Sequence, residues 1–164
     1  MRIEVRSTGW DDPAGAALRA AMEKEMRERY ADRVEAVLAQ ADRATPGHRL
    51  REALDVEEKT LAYVGVAYTD GVPSGHAMLR WHGDDLELKR MYVAPEYRGT
   101  GVSTALLTEV EKAARSLGAP RIILQTGDRQ PDAVRLYERE GYTHIPIFPP
   151  YELLPFSICM EKRL

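Results

Sequence analysis

The clearest hydrophobic pattern in the chain is a change of period near its middle. Residues 86–93 (LELKRMYV) are rich in aliphatic and aromatic side chains, which predicts a β-strand that ends at Ala94-Pro95. Apolar residues then recur at helical spacing, at Val102, Leu106, Val110, Ala113, Ala114 and Leu117. Gly118 follows as a helix terminator. The pattern therefore predicts a strand, a short loop and an amphipathic helix.

Other segments read as further strands. Strands are predicted at residues 2–6, 61–69, 74–81, 121–125, 142–145 and 156–161. Asp70-Gly71 marks a tight hairpin between the second and third of these. The run at 121–125 (RIILQ) is almost continuously apolar, as expected for a strand buried on both faces.

Two more helices flank these strands. One begins at Asp11-Asp12-Pro13 and is expected to bend or break near Ala31-Asp32. Its apolar stripe consists of Leu18, Met22, Met26, Tyr30, Val34, Val37 and Leu38. The other begins at Gln130-Pro131-Asp132 and ends at Gly141. Residues 44–48 predict a loop, and residues 49–59 are ambiguous and fit a short helix. This order of elements predicts an α/β domain with a mixed sheet.

Composition narrows the class of protein. The 164 residues suit one domain spanning 1–164, and 44% of them are hydrophobic. A formal net charge of −3 argues against a nucleic-acid-binding protein, and no apolar run is long enough to span a membrane. The N-terminal residues lack the apolar core of a signal peptide, and Cys159 is the only cysteine. A cytoplasmic location is therefore expected.

The loop between the central strand and helix contains Arg98-Gly99-Thr100-Gly101. Two glycines before a helix can aim several backbone N–H groups outward, and these, with the helix dipole and Arg98, would bind phosphate. Alternatively, the glycines serve only to let the chain turn. The loop has neither the Lys-Ser/Thr of a Walker-type loop nor the third glycine of a dinucleotide-binding fingerprint.

The segment RGTGVS, after a strand ending in Met-x-Val and before an amphipathic helix, resembles the Arg/Gln-x-x-Gly-x-Gly/Ala signature of the GNAT N-acetyltransferases. Ser103 departs from the last position but is small. The later segments RIILQTG and RQPDAVRLYEREGY are also similar to that family, so the resemblance covers about residue 61 to the C-terminus. It implies a GNAT-like mixed, mostly antiparallel central sheet flanked by helices and splayed between the fourth and fifth strands.

The resemblance also implies how acetyl-CoA would be held. The loop would bind its pyrophosphate, and main-chain groups of the preceding strand would bind the pantetheine arm and the thioester oxygen. The cofactor-binding residues implied are Met91, Tyr92, Val93, Arg98, Gly99, Thr100, Gly101, Val102, Ser103 and Thr104. An asparagine that often precedes the next helix in the family is replaced here by Gln130-Pro131-Asp132.

Two residues are candidates for proton transfer. Tyr137 lies where the family has a tyrosine that reaches the coenzyme sulfur, and a phenol can protonate a departing thiolate. The alternative is a core tyrosine whose hydroxyl bonds a backbone carbonyl. Glu87 is the candidate base, expected by alternation to share a face with Met91 and Val93. The alternative is a solvated ion-pair partner of Lys89 or Arg80.

The four histidines and Cys159 lack metal-ligand spacing, so no metal site is predicted. The overall expectation is an acetyl-CoA-dependent N-acetyltransferase that transfers acetyl directly to a primary amine. The amine would be on a small molecule or a peptide, with no nucleic-acid or membrane partner and a homodimer left open. The acceptor cleft is expected among the N-terminal helices, Arg80, Trp81 and the loop carrying Tyr151. The alternative is a non-catalytic acyl-CoA-binding sensor or subunit.

Overall fold

The computed structural model describes residues 1–44 and 55–164, and the side chains of residues 1–33 and 55–164. Its strands are β1 (Ile3–Ser7), β2 (Leu61–Thr69), β3 (Val72–His82), β4 (Asp85–Val93), β5 (Arg121–Gly127), β6 (Thr143–Ile145) and β7 (Ser157–Arg163). Its α-helices are α1 (Pro13–Ala44), α2 (Val102–Ser116) and α3 (Pro131–Arg139). Short 3₁₀ turns lie at Glu58–Thr60, Pro95–Tyr97 and Tyr151–Leu153.

The predicted elements are confirmed, with differences at their ends. Helix α1 starts where expected, because the Asp12 carboxylate accepts the Gly15 N–H at 2.9 Å as an N-cap and Pro13 follows it. It continues to Ala44 without the break expected near Ala31-Asp32. Ala44, predicted to begin a loop, instead belongs to α1. The rest of that loop at 45–48, most of the short helix at 49–59, and the stripe side chains of Val34, Val37 and Leu38 lie outside the described residues.

The strands form one seven-stranded sheet in the order β1-β2-β3-β4-β5-β7-β6. All neighbours pair antiparallel except β4 and β5, which are parallel. Val66 and Ala67, adjacent on β2, belong to different apolar clusters, one packed against α1 and the other against α2. Since neighbouring strand residues point to opposite faces, α1 and α2 cover opposite sides of the sheet. The predicted mixed, mostly antiparallel sheet with flanking helices is confirmed.

A β-bulge interrupts β4 next to the predicted site. Met78 pairs with Lys89 and His76 pairs with Tyr92, so two residues of β4, Arg90 and Met91, oppose Ala77 of β3. Arg90 has a φ of 53°, in the left-handed region. An extra residue reverses the alternation of side chains beyond it.

The expectation that Glu87 shares a face with Met91 and Val93 is therefore wrong. Met91 and Val93 pack against the same apolar cluster as Leu86 and Leu88, the residues that flank Glu87. Glu87 points to the opposite face, on which α1 lies. The cause is the bulge, which no hydrophobic pattern in residues 86–93 reveals.

Candidate active site

A gap between β4 and β5 opens at their carboxyl ends. The two strands pair only over Leu86–Leu88 and Ile122–Leu124, while β4 continues to Val93 and the rest of β5 pairs with β7 alone. The Ala94 N–H donates to Ser74 O on β3. Because backbone groups alternate along a strand, those of Val93, and of Met91 two residues before it, are directed toward the gap. The sheet is thus splayed between the fourth and fifth strands, as predicted.

The loop after β4 presents a run of backbone donors. Gly99 and Gly101 have φ values of 75° and 97°, and Gly101 is the N-cap of α2 without a side-chain capping bond. Among the described residues, no backbone N–H from residue 99 to residue 104 donates a hydrogen bond to another protein group. Free amides at a helix N-terminus form an anion-binding site. The strand–loop–helix arrangement predicted from the glycines is therefore present.

The side chains of this loop are engaged elsewhere. Val102 is buried in the core, the Thr100 hydroxyl donates to Tyr97 O at 2.6 Å, and the Thr104 hydroxyl donates to Glu140 at 3.3 Å. The geometry thus leaves the backbone of this loop, rather than these side chains, to meet a ligand.

Arg98 already makes two contacts within the protein. Its Nε donates to Val93 O at 2.9 Å and its Nη2 pairs with Glu25 of α1 at 2.8 Å. The ion pair with Glu25 raises the pKa of Arg98, and Arg98 in turn lowers the pKa of Glu25. Sequence reasoning assigned Arg98 to phosphate and did not foresee this contact, which joins residues 73 positions apart.

A cavity of about 550 Å³ occupies the gap. Met22, Met26 and Tyr30 of α1 form one wall. Tyr151, Leu154 and Phe156 from the segment before β7 form another, and Tyr137 and Glu87 also reach the cavity. The expected cleft between the first helix and the Tyr151 loop is therefore present. Arg80 instead lies behind Glu87, and Trp81 is 36% exposed outside the cavity.

Tyr137 lies on α3 with its ring buried and in edge contact with Tyr142, at 5.6 Å between ring centres. Its hydroxyl makes no hydrogen bond with any of the described residues, so the backbone-carbonyl contact of a core tyrosine is not found. Burial raises the pKa of Tyr137 above its usual value, which keeps the phenol protonated at neutral pH. A neutral O–H donor therefore lies at the cavity wall.

Glu87 is part of a buried network and is only 1% exposed. The ion pair with Arg80 that the alternative expected is present, but it is buried rather than solvated. Arg80, directly opposite on β3, donates from Nε to Oε1 at 2.7 Å, and the Tyr151 hydroxyl donates to Oε2. Lys89 in turn donates to the Tyr151 oxygen at 2.8 Å. Burial and the neighbouring Glu87 carboxylate raise the pKa of Tyr151. The four side chains form one hydrogen-bonded chain along the cavity.

His76 is a buried histidine next to the bulge whose contacts sequence reasoning missed. It is fully buried, and its Nδ1 lies 2.9 Å from the carbonyl oxygen of Arg90, the bulge residue, while Nε2 lies 3.0 Å from Arg19 Nη1 of α1. Burial lowers the pKa of His76 to about 4. The neutral ring thus donates from Nδ1–H to the bulge and accepts from Arg19. Nothing in the sequence around His76 signals this contact.

Metal-ligand groups are not clustered. Within residues 1–33 and 55–164, no three His, Cys, Asp or Glu side chains come together as a metal site would require. Cys159 is buried, and burial raises the pKa of its thiol. None of the helices, over the part of the chain that the structure describes, is both long and apolar enough to cross a bilayer.

Comparison with known proteins identifies the family of this chain. Residues 16–142 match the family model described as "Acetyltransferase (GNAT) family". The chain is 38% identical over 78 residues to a protein named IAA acetyltransferase from Azospirillum brasilense, a match covering 48% of this chain. It spans about half the length of the curated relatives it matches, 51% in that case.

Solved structures resemble the chain over its whole length. A protein of Klebsiella pneumoniae assigned to the acyl-CoA N-acyltransferases is 25% identical, with a TM-score of 0.75 over 99% of this chain and 97% of its own. The PaiA N-acetyltransferase of Thermoplasma acidophilum, solved in complex with coenzyme A, is 20% identical, with a TM-score of 0.68 over all of both chains. At 20% identity, the similarity to the PaiA N-acetyltransferase shows a shared fold.

Proposed function

Since the chain belongs to the acetyltransferase (GNAT) family, we propose that it is an enzyme that transfers an acetyl group from acetyl-CoA directly to a primary amine. The observation that carries this proposal is the position of the free loop amides. Residues 99–104 come after β4 and the short turn Pro95–Tyr97, beyond the end of β4 where the gap opens, and the cavity lined by Tyr137 occupies that gap. An anion-binding loop beyond the end of β4 and a proton donor in the gap would together hold one acetyl-CoA.

Acetyl-CoA fits the residues present. Unpaired amides and the positive end of the α2 dipole would hold a pyrophosphate. Because Gly101 has no Cβ, its backbone can lie close to the phosphates. The backbone groups of Met91 and Val93 that face the gap would bind the pantetheine arm and donate to the thioester oxygen. When bound, acetyl-CoA supplies an activated acetyl group and a thiolate leaving group.

Arg98 would have to exchange partners for a direct phosphate contact. Its guanidinium is held by Glu25 and Val93 O. A guanidinium has five N–H donors, so it can keep the contact with Val93 O and still reach a phosphate. The proposed role of Arg98 is therefore to tie the loop to β4 and α1 and to add positive charge beside the pyrophosphate.

Tyr137 is the proposed general acid. Its hydroxyl lines the cavity, has no hydrogen-bond partner among the described residues, and is kept protonated by burial. A donor without a protein acceptor is ready to give its proton to a departing thiolate. The neutral phenol also places no charge in the gap.

Glu87 remains the proposed base, and its contacts determine the route by which a proton would reach it. Both carboxylate oxygens already accept hydrogen bonds, one from Arg80 and one from Tyr151. A proton from the amine can reach Glu87 through the Tyr151 hydroxyl, which would take it while passing its own proton to Oε2. Tyr151 would thus act as a neutral relay.

A screen of primary amines with purified protein and acetyl-CoA tests the proposal, with free thiol release as the readout. We expect at least one amine to raise thiol release well above hydrolysis in buffer. Tight acetyl-CoA binding without turnover of any amine would contradict it and favour the sensor or subunit interpretation.

A further inference from the structure

Lys89 is a primary amine at the wall of the proposed acetyl-transfer cavity. It lines this cavity together with Tyr137 and Met91, and the backbone of Met91 is proposed above to bind the thioester. Lys89 and Met91 are two positions apart on β4. The proposed site therefore contains an amine of its own, in addition to any amine that enters from solution.

The contacts of Lys89 give its nitrogen a route for losing a proton. Lys89 Nζ donates to the Tyr151 oxygen at 2.8 Å, and the Tyr151 hydroxyl in turn donates to Glu87 Oε2. A proton that passes from Lys89 to Tyr151 can be matched by the Tyr151 proton moving to Glu87. This is the relay proposed above for an acceptor amine, and Lys89 Nζ lies at the end where that amine would deliver its proton.

The charge state of Lys89 differs from that of an exposed lysine. Burial lowers the pKa of Lys89 to about 8, so about half of it is neutral at pH 8. For a lysine of ordinary pKa the neutral fraction is roughly a hundredfold smaller. Lys59 offers a contrast within the chain, because its side chain is 81% exposed and its hydrogen bond with Glu57 raises its pKa. Only a neutral amine has the lone pair that attacks a thioester.

On the basis of the acetyl transfer proposed above, we propose that Lys89 is a self-acetylation site, which takes the acetyl group of acetyl-CoA when no acceptor amine is present. The neutral Nζ attacks the thioester carbonyl carbon, so that a C–N bond forms and the C–S bond breaks. The nitrogen releases one proton through Tyr151 to Glu87, and the departing thiolate takes one from Tyr137. Transfer of a proton from Glu87 to Tyr137 through solvent then restores both side chains.

Acetylation of Lys89 would be a dead end for the site. The resulting amide carries no charge and is not a nucleophile, and its acetyl group would occupy part of the cavity of about 550 Å³. An acceptor amine would compete with Lys89 for the same acetyl group and relay. The modification would thus slow an enzyme that meets acetyl-CoA without its acceptor.

Peptide mass spectrometry after incubation with acetyl-CoA, at pH 8 and in a buffer free of primary amines, tests the proposal. We expect Lys89 to be acetylated about a hundredfold faster than Lys59, in line with their neutral fractions. Excess coenzyme A should slow the acetylation of Lys89 but not that of Lys59, because only Lys89 would react with bound acetyl-CoA. In Lys89→Arg the fast acetylation should disappear, while the rate at Lys59 stays unchanged.

The pH dependence gives a second readout. The rate at Lys89 should rise with pH and level off above about 8, where the amine is already neutral. The rate at Lys59 should continue to rise, because its pKa is above the ordinary value for lysine.

The outcomes separate this inference from the proposed function. If amines are turned over while Lys89 stays unmodified, or reacts no faster than Lys59, the self-acetylation is overturned and the enzymatic proposal stands. Fast acetylation of Lys89 that coenzyme A does not slow would also overturn it. Selective, coenzyme A-sensitive acetylation of Lys89 without turnover of any added amine would support the inference and contradict transfer to an external acceptor.

Discussion

At the scale of single residues, sequence best predicts those roles that follow from a side chain's own chemistry and from its neighbours in the chain. Tyr137 follows from its helix and its resemblance to a known segment, and it does line the cavity. Glu87 also reaches the cavity, yet its alternation argument fails at the bulge. The contacts of Lys89 and His76 join distant segments and cannot be read from neighbouring residues. Sequence therefore predicts which side chains could react, but not the long-range contacts that hold them.

Tyr137→Phe tests the proposed acid. The ring and its packing remain, so the affinity for acetyl-CoA should change little, whereas kcat should fall about 10²–10⁴-fold because the proton donor is lost. Steady-state kinetics with an acceptor from the amine screen, together with equilibrium acetyl-CoA binding, provide the measurement.

Tyr142→Phe is the matched control. Tyr142 packs edge-on against Tyr137, and its hydroxyl donates to Glu111 at 3.4 Å rather than lining the cavity. Removing that hydroxyl should leave kcat within a few-fold of the wild type. Equal kcat for wild type and Tyr137→Phe would show that Tyr137 is a core residue.

At the scale of elements, the strand–loop–helix unit was predictable because its signals are local. Two glycines, a proline and a change of period mark β4, the loop and α2, and the structure places all three as expected. The bulge was not predictable, because Arg90 has no preference for the left-handed φ it adopts. That conformation accompanies tertiary contacts, including the bond from His76 to its carbonyl oxygen.

A pair of glycine variants tests the loop. Gly101 and Gly118 both have positive φ, 97° and 76°, and a Cβ would meet nothing closer than 3.7 Å at either. Alanine at each position should cost about 1–3 kcal/mol of stability through the same backbone strain. Only Gly101→Ala should also lose acetyl-CoA affinity, since only that Cβ would approach the phosphates.

Urea unfolding measures the stabilities of both variants, and calorimetry measures their acetyl-CoA affinities. If Gly101→Ala binds acetyl-CoA as tightly as Gly118→Ala does, the pyrophosphate lies elsewhere.

At the scale of the whole molecule, helix α1 ties the site together. Its Glu25 pairs with Arg98 of the loop, its Arg19 contacts His76 beneath the bulge, and its Asp32 pairs with Arg129 after β5. The apolar stripe of α1 was predicted, but these polar contacts were not, because each crosses 57 or more positions of sequence. Covering the gap with α1 is what turns a splayed sheet into a walled cavity.

The buried His76 should make stability depend on pH. Its pKa is about 4 in the folded protein and about 6.5 when unfolded, so the unfolded chain binds the extra proton between these values. Stability should therefore be full above pH 6.5 and fall by about 1.4 kcal/mol per pH unit on the way to pH 4.

His76→Gln, which keeps a hydrogen-bond donor, should be less stable at pH 7 but should lose less stability on acidification. Urea unfolding at pH 7 and pH 5 gives the two differences. If the stability of His76→Gln falls between pH 7 and pH 5 as steeply as that of the wild type, groups other than His76 cause the acid sensitivity.

Ligand binding should stabilise the whole fold through the same loop. At a concentration of 100 times Kd, acetyl-CoA should add about 2.7 kcal/mol, which for a chain of this size corresponds to a rise in Tm of roughly 5–10 °C. S-acetylpantetheine, which carries the same thioester without the pyrophosphate, should produce a much smaller rise at equal concentration. Thermal unfolding with each ligand, in the wild type and in Gly101→Ala, provides the comparison. Equal shifts from both ligands would place the binding energy in the gap rather than at the loop amides, and no shift at millimolar acetyl-CoA would contradict the proposed function itself.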